Sequence, residues 1–82
     1  MSIRVFSTPT CSYCQVLKSF LKEKNIVFED IDVSQDEVAL KEMVDKSGQM
    51  GVPVVEIDGE IVVGFDKNKI EKLLELRNSV SK

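Results

Sequence analysis

The feature that most constrains this chain is a change of hydrophobic period at a Cys-x-x-Cys motif. Ile3, Val5 and Phe6 form a short apolar run that stops at Ser7-Thr8-Pro9-Thr10, which reads as a buried strand and then a loop. Beyond Cys11-Ser12-Tyr13-Cys14, the residues Val16, Leu17, Phe20 and Leu21 recur at helical spacing, with Lys18, Lys22 and Glu23 on the other side. The segment Val27–Val33 alternates and carries β-branched residues, so it reads as a second strand. A strand, a helix and a strand in succession imply two parallel strands joined by a right-handed crossover.

The rest of the chain completes a sheet. Ser34 followed by Glu37 reads as a capping box, opening a helix that buries Leu40, Met43 and Val44 and stops at Gly48. Asp58-Gly59 suits a two-residue type I′ turn, which pairs Val54–Ile57 with Glu60–Val63 in a hairpin. Asp66 can cap a last helix whose Ile70, Leu73 and Leu74 face inward, and residues 79–82 are expected to fray. The expected fold is α/β, in the order β-α-β-α-β-β-α: a four-stranded mixed sheet flanked by helices, in one domain over residues 1–82.

Composition narrows the function. A net charge of −3 argues against a nucleic-acid groove or an anionic membrane surface as partner. No apolar stretch approaches the ~20 residues needed to span a bilayer. The start, Met1-Ser2-Ile3-Arg4-Val5-Phe6, lacks the pattern of a signal peptide, so a cytoplasmic, reducing compartment is the expectation; separately, a monomer is the simpler expectation for the oligomeric state. In that compartment two neighbouring cysteines are catalytic or metal-binding more often than structural.

The motif's position decides between those roles. Zinc asks for four ligands, and the 82 residues contain 2 cysteines and no histidine. A metal or iron–sulfur carrier would have to pool cysteines from two chains; it stands as the alternative to redox chemistry. The lack of histidine also removes a Cys–His nucleophile pair. Two cysteines three residues apart at a helix start lie over one turn and can close a disulfide. Cys11 would sit beside unpaired backbone N–H groups, and Cys14 deeper. The helix end can stabilise a thiolate by up to ~2 kcal/mol, bringing a thiol from ~8.5 to near ~7. The thiolate fraction then rises about fifteenfold while nucleophilicity falls about fivefold, so the larger benefit is to Cys11 as a leaving group. The expected cycle is attack by Cys11 on a substrate disulfide, resolution by Cys14, and restoration of the dithiol by a thiol donor, with no tightly bound cofactor.

Other residues carry weaker signals. Val52-Pro53, just before the hairpin, can support a cis peptide or can merely direct strand entry, and local chemistry does not separate the two. Gly64 permits a tight turn before Phe65-Asp66, and Asp66 is an N-cap before it is a ligand-binding group. Tyr13 is expected to be exposed on the motif loop and available to a substrate. Lys18 reads as a solvated helix residue.

Taken together, Ser7-Thr8-Pro9-Thr10-Cys11-Ser12-Tyr13-Cys14, then Gly51-Val52-Pro53, then Gly64-Phe65-Asp66 resemble the glutaredoxin family of the thioredoxin-fold superfamily over nearly the whole chain. The resemblance implies a cis Pro53 facing the cysteines and a Val52 backbone that pairs with a substrate cysteine. It implies that Gly64, Phe65 and Asp66 border a glutathione γ-glutamyl site. The implied activity is oxidoreductase: reduction of protein disulfides or glutathione mixed disulfides, in electron transport and cell redox homeostasis. Ser12 replaces the family's usual Pro, Thr8 a usual Lys, Gly51 a usual Thr, and Val63-Gly64 and Asp66-Lys67 its Gly-Gly and Asp-Asp pairs. Thr8 removes a charge that would attract glutathione. On that account the chain also resembles short glutaredoxin-like redoxins that take electrons from a thioredoxin-reductase-type flavoenzyme, so glutathione and a flavoenzyme are the two candidate donors.

Overall fold

The computed structural model describes the backbone of residues 3–80 and the side chains of residues 3–75. Seven elements follow one another: β1 (Ile3–Ser7), α1 (Ser12–Glu23), β2 (Glu29–Asp32), α2 (Glu37–Ser47), β3 (Val54–Ile57), β4 (Glu60–Val63) and α3 (Lys67–Val80). Ser81 and Lys82, part of the tail expected to fray, lie outside the described residues. The strands form one mixed sheet in the order β2-β1-β3-β4, with β1 parallel to β2 and antiparallel to β3, and β3 antiparallel to β4. Element order and sheet are those expected.

Alternation along the strands divides the core into two. Ile3, Val5, Val55, Ile57 and Val62 face one way, and Leu17, Leu21, Ile70 and Leu74 of α1 and α3 close over them. Phe6 and Val54 face the other way, and Ala39 and Met43 of α2 pack there with Val33. The Asp58-Gly59 turn joins strands paired Ile57↔Glu60, and both of its residues have positive φ (48° and 91°), as a type I′ turn requires.

Four local expectations need correction. β2 spans Glu29–Asp32 alone, and Val27 is exposed, because the chain is still leaving α1 through the Asn25 turn. The cap of α2 is Asp36, whose carboxylate accepts the Ala39 N–H at 3.0 Å; Ser34 instead donates its N–H and hydroxyl to Asp32, so no capping box forms. In α2 the fully buried residues are Ala39 and Met43, with Leu40 and Val44 only partly covered. Val16 is exposed, since α1 buries the stripe Cys14, Leu17 and Leu21.

The α2 face also holds a charge network that periodicity does not announce. Arg4 of β1 and Glu56 of β3 are register partners, and Arg4 ion-pairs with both Glu56 and Glu42 of α2. Lys46, one turn after Glu42, reaches Glu56 at 2.7 Å and Glu42 at 3.1 Å. The hydrogen bonds from Arg4, then those from Lys46, hold Glu42 down at about 2. Burial pushes Glu56 up, but the bonds from Lys46 and Arg4 together outweigh it, so this buried carboxylate also lies below its usual range. Lys46, bonded first to Glu56 and then to Glu42, is raised in turn.

Candidate active site

Strand β1 ends at Ser7, and the loop Thr8-Pro9-Thr10 turns back through a Cys11 N–H bond to the Thr8 carbonyl at 3.3 Å. This places Cys11 as the N-cap of α1, with extended φ and ψ (−90°, 111°). Its Sγ accepts the Cys14 N–H at 3.1 Å, the work a serine or aspartate does at an ordinary cap. The first helical bond, Gln15 N–H to the Cys11 carbonyl, follows at 3.3 Å. No acidic residue occupies the first turn of α1, so nothing there opposes the positive end of the helix. Negative charge on the Cys11 sulfur would therefore meet an aimed N–H and a favourable dipole.

The two sulfurs are joined in a disulfide, with Cα atoms 5.2 Å apart. Cys14 is fully buried and Cys11 only partly, so an incoming disulfide meets Cys11 first. Tyr13, between them in sequence, is 70% exposed and lies open to a partner.

Register brings the remaining predicted residues to the same end of the sheet. Phe6 pairs with Val54 and Val54 with Val63, so the chain segments Ser7–Cys11, Val52-Pro53 and Gly64–Asp66 all leave the sheet on one side. The Val52-Pro53 peptide is cis, as the resemblance implied. The Gly64 N–H donates to the Pro53 carbonyl at 2.8 Å, tying the two outer segments together. Gly64 has φ +75°, the left-handed conformation that favours glycine at this turn. The Phe65 ring meets Phe20 of α1 edge-on with centroids 5.6 Å apart, and an open cleft of about 450 Å³ beside the rings is lined by Val16, Phe20, Phe65 and Lys67. Asp66 is an N-cap, accepting the Lys69 N–H at 3.2 Å. Among the described residues no group of three or more Cys, Asp or Glu side chains is arranged to hold a metal ion.

One site residue departs from expectation. Lys18 is not solvated: its side chain is 13% exposed, and its ammonium bonds Asp30 of β2 at 3.1 Å and the Ser7 hydroxyl at 3.4 Å. Ser7, itself buried, donates to the other oxygen of Asp30 at 3.1 Å. The signal was available in part, since Lys18 follows Cys14 by one helical turn. The pairing with a strand residue twelve positions away was not.

A family model for glutaredoxin matches residues 3–62, which include Cys11, Cys14, Val52 and Pro53 and stop short of Gly64–Asp66. A glutaredoxin-like 8.6 kDa protein in the rubredoxin operon of Clostridium pasteurianum is 51% identical over 73 residues, 89% of this chain and 97% of its own length. The crystal structure of the thioredoxin-like protein BC3987 superposes with a TM-score of 0.83 at 36% identity, over 88% of this chain and 99% of that one. The glutaredoxin-like NrdH-redoxin of Escherichia coli does so at 0.78 and 26%, over 89% and 95%. The architecture is the thioredoxin fold. No helix among the described residues is long and apolar enough to cross a membrane.

Proposed function

This chain belongs to the glutaredoxin family, and from that premise we propose that it carries electrons to protein disulfides through a dithiol cycle of Cys11 and Cys14. The observation that carries the reading is the inequality of the two sulfurs. Cys11 is reachable and held at a helix N-cap by the Cys14 N–H, while Cys14 is wholly buried under the same turn. Attack by the Cys11 thiolate forms a mixed disulfide with the substrate. Cys14 then attacks the Cys11 sulfur, the substrate leaves as a thiolate, and the pair closes to the disulfide. An external dithiol or two thiols reopen it. Val52 and Pro53 would align the incoming cysteine, and Tyr13 would pack beside it.

The donor we favour is a thioredoxin-reductase-type flavoenzyme, with glutathione a weaker co-substrate. Thr8 puts a neutral hydroxyl where glutaredoxins commonly have a lysine, which weakens attraction for the glutathione carboxylate. Asp66 is already engaged as a cap. The NrdH-redoxin that superposes on this chain is described by its thioredoxin-like activity profile.

Two coupled assays test the reading: reduction of insulin with thioredoxin reductase and NADPH, and reduction of a glutathione mixed disulfide with glutathione and glutathione reductase. The expected result is faster turnover in the first. Cys11→Ser should lose both activities, and Cys14→Ser should keep only a glutathione-dependent route. Silence in both assays with intact thiols would overturn the reading. Visible absorption or stoichiometric metal in protein purified without chelators would replace it with the carrier alternative.

A further inference from the structure

The dithiol cycle leaves one step unexplained. Cys14 must become a thiolate to resolve the mixed disulfide, yet it is fully buried, and burial away from water disfavours a charged sulfur. Unlike Cys11, it does not sit at the cap, and the chain has no histidine to take its proton. Lys18 is the cation placed to help. It lies one turn beyond Cys14 on the same side of α1, where side chains four apart are neighbours. Its ammonium does not extend into solvent: the side chain is 13% exposed and reaches Ser7, the last residue of β1, four positions before Cys11. Ser7 and Asp30 hold it there, each bonded to the other.

We infer that Lys18 is a positioning residue for resolution: its ammonium, anchored by Asp30 and Ser7, stabilises the buried Cys14 thiolate during attack on Cys11. Asp30 has two opposed effects in this arrangement. It fixes the ammonium in place, and its negative charge offsets part of the field that the ammonium exerts on the sulfur. Other charged groups share this end: Asp32 lines the same cleft as Lys18 and Asp30, and Asp66 caps α3. Asp32, on the same face of β2, accepts from Ser34, and Lys67 on the α3 side stands over the Phe20 ring at 5.8 Å. The inference rests on the dithiol reading above.

The step balances without an added reagent. The Cys14–Cys11 bond forms, the bond from Cys11 to the substrate sulfur breaks, the electron pair leaves with the substrate thiolate, and the Cys14 proton passes to solvent. Reaction of the reduced full-length protein with 5,5′-dithiobis(2-nitrobenzoate) separates the stages by stopped flow. The first release of thionitrobenzoate depends on reagent concentration and reports Cys11. The second is first order and reports resolution by Cys14.

Removing one nearby charge lowers the thiolate population about tenfold below the titration midpoint, while the remaining thiolate becomes about threefold more nucleophilic. Lys18→Met should therefore slow the second phase about threefold near neutrality and speed it about threefold at high pH, so that its profile crosses that of the parent chain. Lys18→Arg should restore the parent profile. Asp30→Asn keeps the ammonium and removes the opposing charge, so its second phase should be faster near neutrality. A purely architectural ion pair moves neither profile this way. Parallel slowing at every pH in both Lys18→Met and Asp30→Asn, or no change in either, overturns the inference. Loss of the second phase from the parent protein would instead break the dithiol reading.

Discussion

The two faces of the sheet handle charge differently. On the α2 face, Arg4, Glu42, Glu56 and Lys46 pair with one another near the start of β1, about 10 Å along the strand from Ser7. On the α1/α3 face the strand core is aliphatic, and Lys18, Ser7 and Asp30 gather toward the Ser7 end of β1, from which the chain leads into the Cys11 loop. Neither charge cluster follows from amphipathic patterning. The first sits away from the chemistry and fastens α2 to the sheet. The second sits at the end of β1 that leads into the Cys11 loop and is open to solvent through Asp30, whose side chain is 51% exposed. An anchored ion pair thus serves stability on one face and, by our inference, the redox step on the other.

The largest effect that would test this division is loss of exchange. Cys11→Ser should remove all detectable disulfide reduction while leaving the circular dichroism spectrum and cooperative unfolding of the reduced parent in place, because without the disulfide its Sγ supplies one cap bond that a serine hydroxyl can also accept. Unfolding of the variant under these conditions would mean that site and scaffold are not separable.

Next come the cores. Leu21→Ala on the α1/α3 face and Met43→Ala on the α2 face should each cost about 2–5 kcal/mol in denaturant unfolding, since both side chains are fully buried. Arg4→Met should cost about 1.5–3 kcal/mol, the range for a hydrogen bond to a charged group. That is less than a wholly orphaned buried charge would cost, because Lys46 still holds Glu56. The comparison is sharpened by the exchange profile: Arg4→Met should leave the pH dependence of both thionitrobenzoate phases where it was, whereas Lys18→Met moves the second.

A smaller effect is the acid limb of stability. Glu42 and Glu56 lie lower in the folded chain than in the unfolded one, so the folded state binds fewer protons. Their contribution is present above the ordinary carboxylate range near ~4.5 and is lost as pH falls toward about 2, the folded value of Glu42. The Glu42 side chain is 36% exposed, so solvent and salt reduce its share. Urea midpoints between pH 2.5 and 7 should fall on the acid side, and the slope should flatten in Arg4→Met. An unchanged slope would remove the network from the account. The smallest effect expected is in the caps, where Asp36→Ala should cost about 1 kcal/mol and exceed Ser34→Ala, reversing the order that a Ser34 cap would give.

Much of this molecule was legible from short-range pattern. The helix after Cys11, the hairpin around Asp58-Gly59, the stop at Gly48 and the Asp66 cap depend on residues within about one turn of one another, and each is found as read. The Ser34 cap failed because Asp36 competes for the same helix start from two residues nearer, and Ser34 has Asp32 to bond. The second strand came out short because alternation continued through residues that lie outside the sheet.

For the redox pair the division is the same. By itself the sequence determined that two cysteines share the first turn of a helix behind a strand, since spacing and a change of hydrophobic period are local properties of a chain. Which cysteine is reachable was also predictable, because the second lies one turn deeper. Only the tertiary structure decided what surrounds them. Ser7 meets Asp30 across 23 positions, Lys18 meets Asp30 across 12, and Gly64 closes onto Pro53. Pairing between distant strands is set by sheet register and by how the helices pack upon it, and an ion pair across that distance leaves no periodic trace in the residues between.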